Sequence, residues 1–280
     1  MHVLITGAGG QLGRALAAVM RHSDTLTLLD REQLDVTDAD RVWRIITASK
    51  PDTVIHSAAY TLVDKAETDV AAAYAVNAAG TRNVAAAAAA SGSALVYIST
   101  DYVFSGSKGK PYTEFDQPDP ISVYGKSKLE GERFVQMLHH RFFIVRTSWL
   151  YGDGPNNFTG KIVSAARSGK PLRVVDDEIG SPTSTSDLAA FLTVLIRTNR
   201  YGIYHASNTG SCSRFEQAKA ILEATGLSDI PVEPIPGNTL QTAAPRPHYS
   251  VLDSFMIRLS GFSELPHWRD ALTRCITKSQ

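Results

Sequence analysis

Short apolar runs alternate with longer segments of helical periodicity from the N-terminus to about position 148. His2-Val3-Leu4-Ile5-Thr6, Thr25-Leu26-Thr27-Leu28-Leu29, the run from Val54 to Ala59, that from Ala94 to Thr100 and that from Arg141 to Ser148 read as five buried strands. Between them, the segments Arg14 to Arg21, Ala39 to Ser49 and Glu67 to Ala90 place apolar residues at helical spacing among good helix formers. Near-continuously apolar strands separated by helices predict an α/β fold, a Rossmann-type doubly wound parallel sheet covered on both faces. After Trp149 the regularity drops. Breakers gather at Gly154-Pro155, Gly169-Lys170-Pro171 and Gly180-Ser181-Pro182, then a helix is expected from Thr185 to about Arg197 and a short strand over Ile203 to Ala206. Residues 1–148, with roughly 184–212 returning to them, are expected to form the dinucleotide-binding Rossmann domain. Residues 149–183 and 213–280, including a helix from Arg214 to Thr225, are expected to form a smaller C-terminal substrate-binding lobe.

The first strand runs straight into Gly7-Ala8-Gly9-Gly10-Gln11-Leu12-Gly13, and a helix follows. In such a turn Gly7 allows the tight bend, Gly10 lets a pyrophosphate approach the backbone, and Gly13 lets the helix pack closely on the strand. The unpaired N–H groups of the first helical turn then face the phosphates. Asp30 closes the second strand, where a carboxylate accepts from both hydroxyls of an adenosine ribose and favours NADH. Arg31 beside it can pair with a 2′-phosphate, so NADPH stays open. Asp35 and Val36 border the expected adenine position, and Thr37 or Asp38 caps the next helix. Ser57, Ala58 and Ala59 leave room for a ligand at the third strand's end. Asn77 stands alone in an alanine-rich run, either as a satisfied core amide or as a kinking residue that holds a water or a lysine.

The candidate chemistry sits in Ser122 to Glu132. As a helix, this stretch puts Tyr124 and Lys128 one turn apart on one face. A phenol titrates at about pH 10, and a neighbouring ammonium favours its ionised form. Lys128 is therefore expected to lower the pKa of Tyr124 and make it a proton-transfer group near neutrality. Thr100, or its neighbour Ser99, ends the fourth strand with a hydroxyl that can bond both a substrate carbonyl and the tyrosine.

The formal net charge is zero and no basic block occurs, which argues against a nucleic-acid partner. No apolar run reaches bilayer length and no signal peptide is visible, which argues against a membrane and for a cytoplasmic setting. Two cysteines, Cys212 and Cys275, make neither a disulfide framework nor a metal knuckle.

GAGGQLG (7–13), LDVTD (34–38), HSAAYTLVDKAE (56–67), STDYVFSG (99–106), YGKSKLEGE (124–132), RTSWLYG (146–152), IGSPT (179–183) and PRP (245–247) together resemble the dTDP-4-dehydrorhamnose reductase family of the extended short-chain dehydrogenase/reductases. The resemblance implies a Rossmann domain that binds NADPH or NADH through Gly7, Gly10, Gln11, Leu12, Gly13, Asp30, Asp35, Val36, Ala58, Ala59, Tyr60, Ile98, Tyr124 and Lys128. It also implies reduction of the C4 ketone of dTDP-4-dehydro-L-rhamnose, with the lobe holding the dTDP-sugar. Tyr124 would be the proton donor, Lys128 the residue that holds the nicotinamide ribose, and Thr100 the group that orients the ketone. Thr100, Asp101 and Trp149 would contact the deoxysugar. Some members pair as homodimers through acidic residues and Mg2+, so both are expectations of the resemblance alone. One departure stands out: Asp176-Asp177-Glu178 precedes the IGSPT run where the family often has Asp-Gln, and a carboxylate cannot donate as an amide does. Two other readings share the pattern. One is a reductase of another dTDP-4-keto-deoxysugar. The second is a non-catalytic, dinucleotide-binding regulatory subunit resembling that of methionine adenosyltransferase, against which the intact Thr100, Tyr124 and Lys128 argue.

Overall fold

Alternate residues of the first strand feed two different cores. In the computed structural model, which describes residues 1–154, 156–169 and 171–278, Val3 and Ile5 pack on one face of the sheet and Leu4 on the other. All three are fully buried, which is why the strand reads as a continuous apolar run. Pro155 and Lys170, members of two of the breaker runs, lie outside the described residues.

The main sheet holds β1 (His2–Thr6), β2 (Thr25–Leu29), β3 (Thr53–His56), β4 (Ala94–Thr100), β5 (Phe142–Thr147) and the strand Gly202–His205. Its order is Gly202–His205, β5, β4, β3, β1, β2, and every pairing is parallel. The chain runs from β1 outward to β2, then crosses to β3 on the other side. Between β1 and β3 lies the switch point at which open α/β sheets bind ligands.

The helices are α1 (Gln11–Met20), α2 (Ala39–Ser49), α3 (Val63–Ala66), α4 (Val70–Tyr74), α5 (Thr81–Ser91), α6 (Val123–Leu138), α7 (Phe158–Arg167), α8 (Thr185–Leu195), α9 (Arg214–Thr225), α10 (Phe255–Leu259) and α11 (Trp268–Lys278). Leu12, Leu16 and Met20 of α1 share a core with Leu188 and Leu192 of α8. Val42 and Ile46 of α2 join Val84 of α5 and Val135 of α6 on the opposite face. A separate core, with Tyr151, Ile162, Ile221 and Trp268, holds the lobe together. Ile257 and Leu265, from the last thirty residues, join the α1–α8 core instead.

The expected helix over Glu67 to Ala90 is broken. It becomes α3, α4, a π-helical turn over Ala75–Gly80, and α5. Asn77 lies in that turn and turns its side chain out of the run. Its Oδ1 accepts from Tyr60 N (2.8 Å) and its Nδ2 donates to Tyr60 O (3.1 Å) and Ser127 Oγ (3.0 Å). The amide thus combines both readings, fully satisfied and sitting at the kink, but it grips Ser127 and not Lys128. Such π turns widen a helix to admit one side chain's bonds.

A candidate active site

Two glycines shape the turn after β1. Gly7 has φ +68°, and a Cβ there would lie 2.6 Å from Ala58 N; a Cβ on Gly13 would lie 2.5 Å from Gly7 O. Larger residues would push the turn off β3 or α1 off the turn. Helix α1 then starts with Gly10 as its N-cap, with no side-chain cap and no acid in its first turn. Its first N–H groups are left for an anion, the arrangement a pyrophosphate needs. Asp30, at the end of β2, accepts through Oδ1 from Glu32 N and Gln33 N (both 3.0 Å), which fixes its carboxylate at the rim. Asp35 accepts from the N–H and hydroxyl of Thr37, and those bonds hold its carboxyl below the usual range. Asp38, not Thr37, caps α2 by accepting from Arg41 N (3.0 Å).

Helix α6 is started by two acceptors. Ser122 Oγ accepts from Gly125 N (3.1 Å), and Glu67 Oε1 accepts from Val123 N (2.8 Å). A carboxylate there also complements the helix dipole. The helix brings Tyr124 and Lys128 to the C-terminal ends of β4 and β5, where Thr100 pairs in register with Thr147. The Thr100 hydroxyl donates to Asp101 Oδ1 (3.0 Å) and accepts from Tyr102 N (3.2 Å). Asp101 also accepts from Ser250 Oγ (2.6 Å), a residue of the C-terminal segment. Burial pushes the Asp101 carboxyl up to about 6 against those two hydroxyls, so its charge responds to small changes around it.

The expected lowering of Tyr124 by Lys128 is not what the geometry provides. Lys128 is 2% exposed, and its Nζ donates to Ile98 O (2.7 Å) and lies 4.1 Å from the centre of the Tyr97 ring. Burial pulls its pKa down to about 7, with Glu132 acting the other way. Desolvation raises the Tyr124 phenol above its ordinary value, with the Thr100 hydroxyl pulling it down and the Asp101 charge pushing it up. Spacing put the amine on the right face of α6; depth in the cleft, invisible to spacing, turned it to the end of β4. The phenol therefore keeps its proton at neutral pH.

One cleft of about 1470 Å³ is lined by every residue the sequence singled out for cofactor or substrate: Gly7, Gly10, Gln11, Leu12, Gly13, Asp30, Asp35, Val36, Ala58, Ala59, Tyr60, Ile98, Thr100, Asp101, Tyr124, Lys128 and Trp149. Ser99, the alternative to Thr100, also reaches it, but its hydroxyl donates to the Glu132 carboxylate behind the sheet. The lobe adds residues that sequence reasoning missed, Phe158 and Lys161 from α7 and Arg214 from α9. The Arg214 guanidinium stacks on Trp149, 3.5 Å from the ring centre, and Gly180 packs against the indole Cε2. Trp149 is thus half of a wall whose other half is a cation. Only an aromatic shortly after β5 hinted at this, and nothing in the sequence paired it with Arg214. In the departing Asp176-Asp177-Glu178 run, Asp176 Oδ1 accepts from Ser213 Oγ (2.7 Å) and Asp177 Oδ1 from Gly237 N (2.8 Å), which braces the lobe, while burial pushes the Glu178 carboxyl up against the pull of Arg214. Among the described residues, no three His, Cys, Asp or Glu side chains gather as a metal site.

The RmlD substrate binding domain family model matches residues 1–280. A dTDP-4-dehydrorhamnose reductase of Streptomyces griseus is 42% identical over 96% of this chain and 91% of its own. A dTDP-4-keto-6-deoxy-D-glucose reductase of Streptomyces niveus is 36% identical over 97% of this chain and 95% of its own. The crystal structure of a dTDP-4-dehydrorhamnose reductase from Bacillus anthracis in complex with NADP superimposes with a TM-score of 0.97 at 44% identity, covering 99% of both chains.

Proposed function

The chain belongs to the RmlD substrate-binding-domain family, and from that premise we propose that it is an NADPH-dependent reductase of the C4 ketone of dTDP-4-dehydro-L-rhamnose, yielding dTDP-L-rhamnose. The observation that carries this is the single cleft, where the capless start of α1 and Tyr124 with Thr100 face the same space. The residues fit the dinucleotide: unpaired N–H groups for its pyrophosphate, Asp30 for a ribose, and Arg31 beside it for a 2′-phosphate.

NADPH, when bound, supplies the hydride. Tyr124 holds the proton that the ketone oxygen needs. Its raised pKa suits an acid that must stay protonated until an alkoxide, a much stronger base, develops beside it. Thr100 orients that oxygen, with its hydroxyl able to move from Asp101 Oδ1 to the ketone. Lys128 offers its amine at the end of β4 to the nicotinamide ribose. Arg214 and Lys161 give the lobe side positive charge for the diphosphate of the sugar nucleotide, and the Trp149–Arg214 wall flanks the sugar with Asp101.

Purified protein given NADPH and dTDP-4-dehydro-L-rhamnose should consume the NADPH absorbance and release dTDP-L-rhamnose. No turnover there, with turnover on dTDP-4-keto-6-deoxy-D-glucose, would move the assignment to the second reading, which the Streptomyces niveus relative favours. Recovery of a stoichiometric methionine adenosyltransferase without any reductase activity would instead support the regulatory reading. No helix among the described residues is long and apolar enough to cross a membrane. A cytoplasmic setting and a homodimer, with Mg2+ between its subunits, belong to this reading; fractionation, and sedimentation with and without Mg2+, test them.

A further inference from the structure

The glycine turn and the lobe are joined by two amides whose orientations the hydrogen bonds determine. Asn157 is the N-cap of α7: its Oδ1 accepts from Gly160 N (3.0 Å). Its Nδ2 is thereby aimed the other way, donating to Gly152 O (2.8 Å), Gly154 O (3.0 Å) and Gln11 Oε1 (3.0 Å). All three partners must be acceptors, so Gln11 must present its carbonyl oxygen to Asn157. Its Nε2 is then left as a donor without a partner among the described residues, on a side chain that lines the cleft next to the N-cap Gly10. Asn157 is 7% exposed, so its four bonds are made away from water. What it caps is the helix that carries Phe158 and Lys161 into the cleft, with Phe158 4.9 Å from the Arg214 guanidinium.

We propose that Gln11 is a positioning residue that couples cofactor binding to the substrate lobe, its Nε2 donating to the dinucleotide pyrophosphate while its Oε1 holds Asn157 and the start of α7. A ligand that fixes one end of a planar amide fixes the other, 120° away. A dinucleotide on the turn thus sets the acceptor on which the lobe's first helical turn hangs, and the wall of Phe158, Lys161 and Arg214 is ordered before the sugar nucleotide arrives. Coupling of this kind is reciprocal, so the sugar nucleotide tightens the cofactor by the same factor. The identity of both ligands rests on the reductase reading above.

The test is calorimetric titration of the intact chain with dTDP, alone and with saturating NADP+. Wild-type protein should bind dTDP at least about fivefold more tightly when NADP+ is present. Gln11→Met keeps the shape but neither donates nor accepts, and should bring that ratio to within about twofold of one. Asn157→Asp keeps an oxygen for the α7 cap while losing the donor. It should lower the ratio in the same way, with NADP+ affinity held within about twofold, and it serves as the second variant if Gln11→Met does not fold. A wild-type ratio of one, or a Gln11→Met ratio equal to wild type, overturns the proposal. So does an equal loss of dTDP affinity with and without NADP+, the signature of a contact that only supports the fold. Failure of the reductase reading looks different: dTDP then binds under neither condition, and the coupling falls with it.

Discussion

Glu132 and Arg146 meet in a two-point ion pair directly behind the wall that carries Tyr124 and Lys128. Arg146 Nε lies 2.9 Å from Oε1 and Nη2 lies 2.7 Å from Oε2, and both side chains are almost wholly out of water. The pair pins α6 to β5. His205 completes it: Nδ1 donates to Tyr112 O (2.9 Å), so Nε2 is free to accept from Arg146 Nη1 (3.3 Å). Burial first, and Arg146 second, hold that imidazole down to about 3 and therefore neutral. Removing one partner strands the other. Arg146→Met should cost about 3–5 kcal/mol in urea unfolding, whereas Glu132→Leu combined with Arg146→Met should cost much less than the sum. A single-variant loss below about 1 kcal/mol would show that the pair does not hold the helix.

Tyr124→Phe removes a proton donor and little else. Turnover should fall by about 10²–10⁴-fold, the usual worth of a general acid, with NADPH affinity unchanged by titration. A fall under about threefold would assign the proton to another group.

Lys128 makes stability depend on pH in a definite direction. Burial holds its pKa down to about 7 in the fold, against 10.5 for an ordinary lysine. Between those values the unfolded chain binds the proton and the folded chain does not, so stability rises with pH across that window and is lost as pH falls towards 7. Each pH unit is worth up to about 1.4 kcal/mol. Wild-type protein should therefore gain stability relative to Lys128→Met from about pH 7 to about pH 10 in paired urea titrations. Parallel curves would place the amine in water. The same variant should bind NADPH more weakly.

Thr53 opens β3 fully buried, and its Oγ1 has no hydrogen-bond partner among the described residues. A hydroxyl desolvated without compensation opposes folding, and valine has the same shape and strand preference. Thr53→Val should stabilise the protein by about 1 kcal/mol, read as a higher Tm at unchanged activity. A lower Tm would mean that the hydroxyl is satisfied in solution.

Local chemistry was the legible part of this chain. β4, α2 and α9 lie at their expected bounds because capping residues and apolar periodicity state those ends directly: Asp38 caps α2, and Ser213 with Glu216 forms a reciprocal cap on α9. Many cleft residues of the Rossmann part were legible for a related reason: Gly7, Gly10, Asp30 and Thr100 stand at a strand end or in a turn that the chain announces, and Tyr124 and Lys128 stand one turn apart on α6. The lobe's contributions were not. Arg214 looks like any helix-opening arginine until Trp149, 65 positions earlier, stacks beneath it. Ser250 reaches Asp101 across 149 positions for the same reason: tertiary packing, not local pattern, makes the contact. Asn77 in its alanine run marked a possible kink, but alanine helix propensity says nothing about its partner, and the Ser127 that it holds lies 50 positions on.

The strand Gly202–His205 has a consequence for how the molecule is assembled. It closes the sheet beside β5 only after the chain has gone out through the lobe and come back, and Arg197 then pairs with Asp24 across 173 positions. A polypeptide stopped at 148 has five strands, but β5 is a bare edge, and Leu12 and Leu16 of α1 lack the α8 side chains that cover them. Bare edges and naked apolar helices invite association between chains. The segment between β5 and Gly202–His205 is an excursion between two neighbouring strands of one sheet, so a cut there leaves the sheet incomplete, and folding must wait for contacts far apart along the polypeptide.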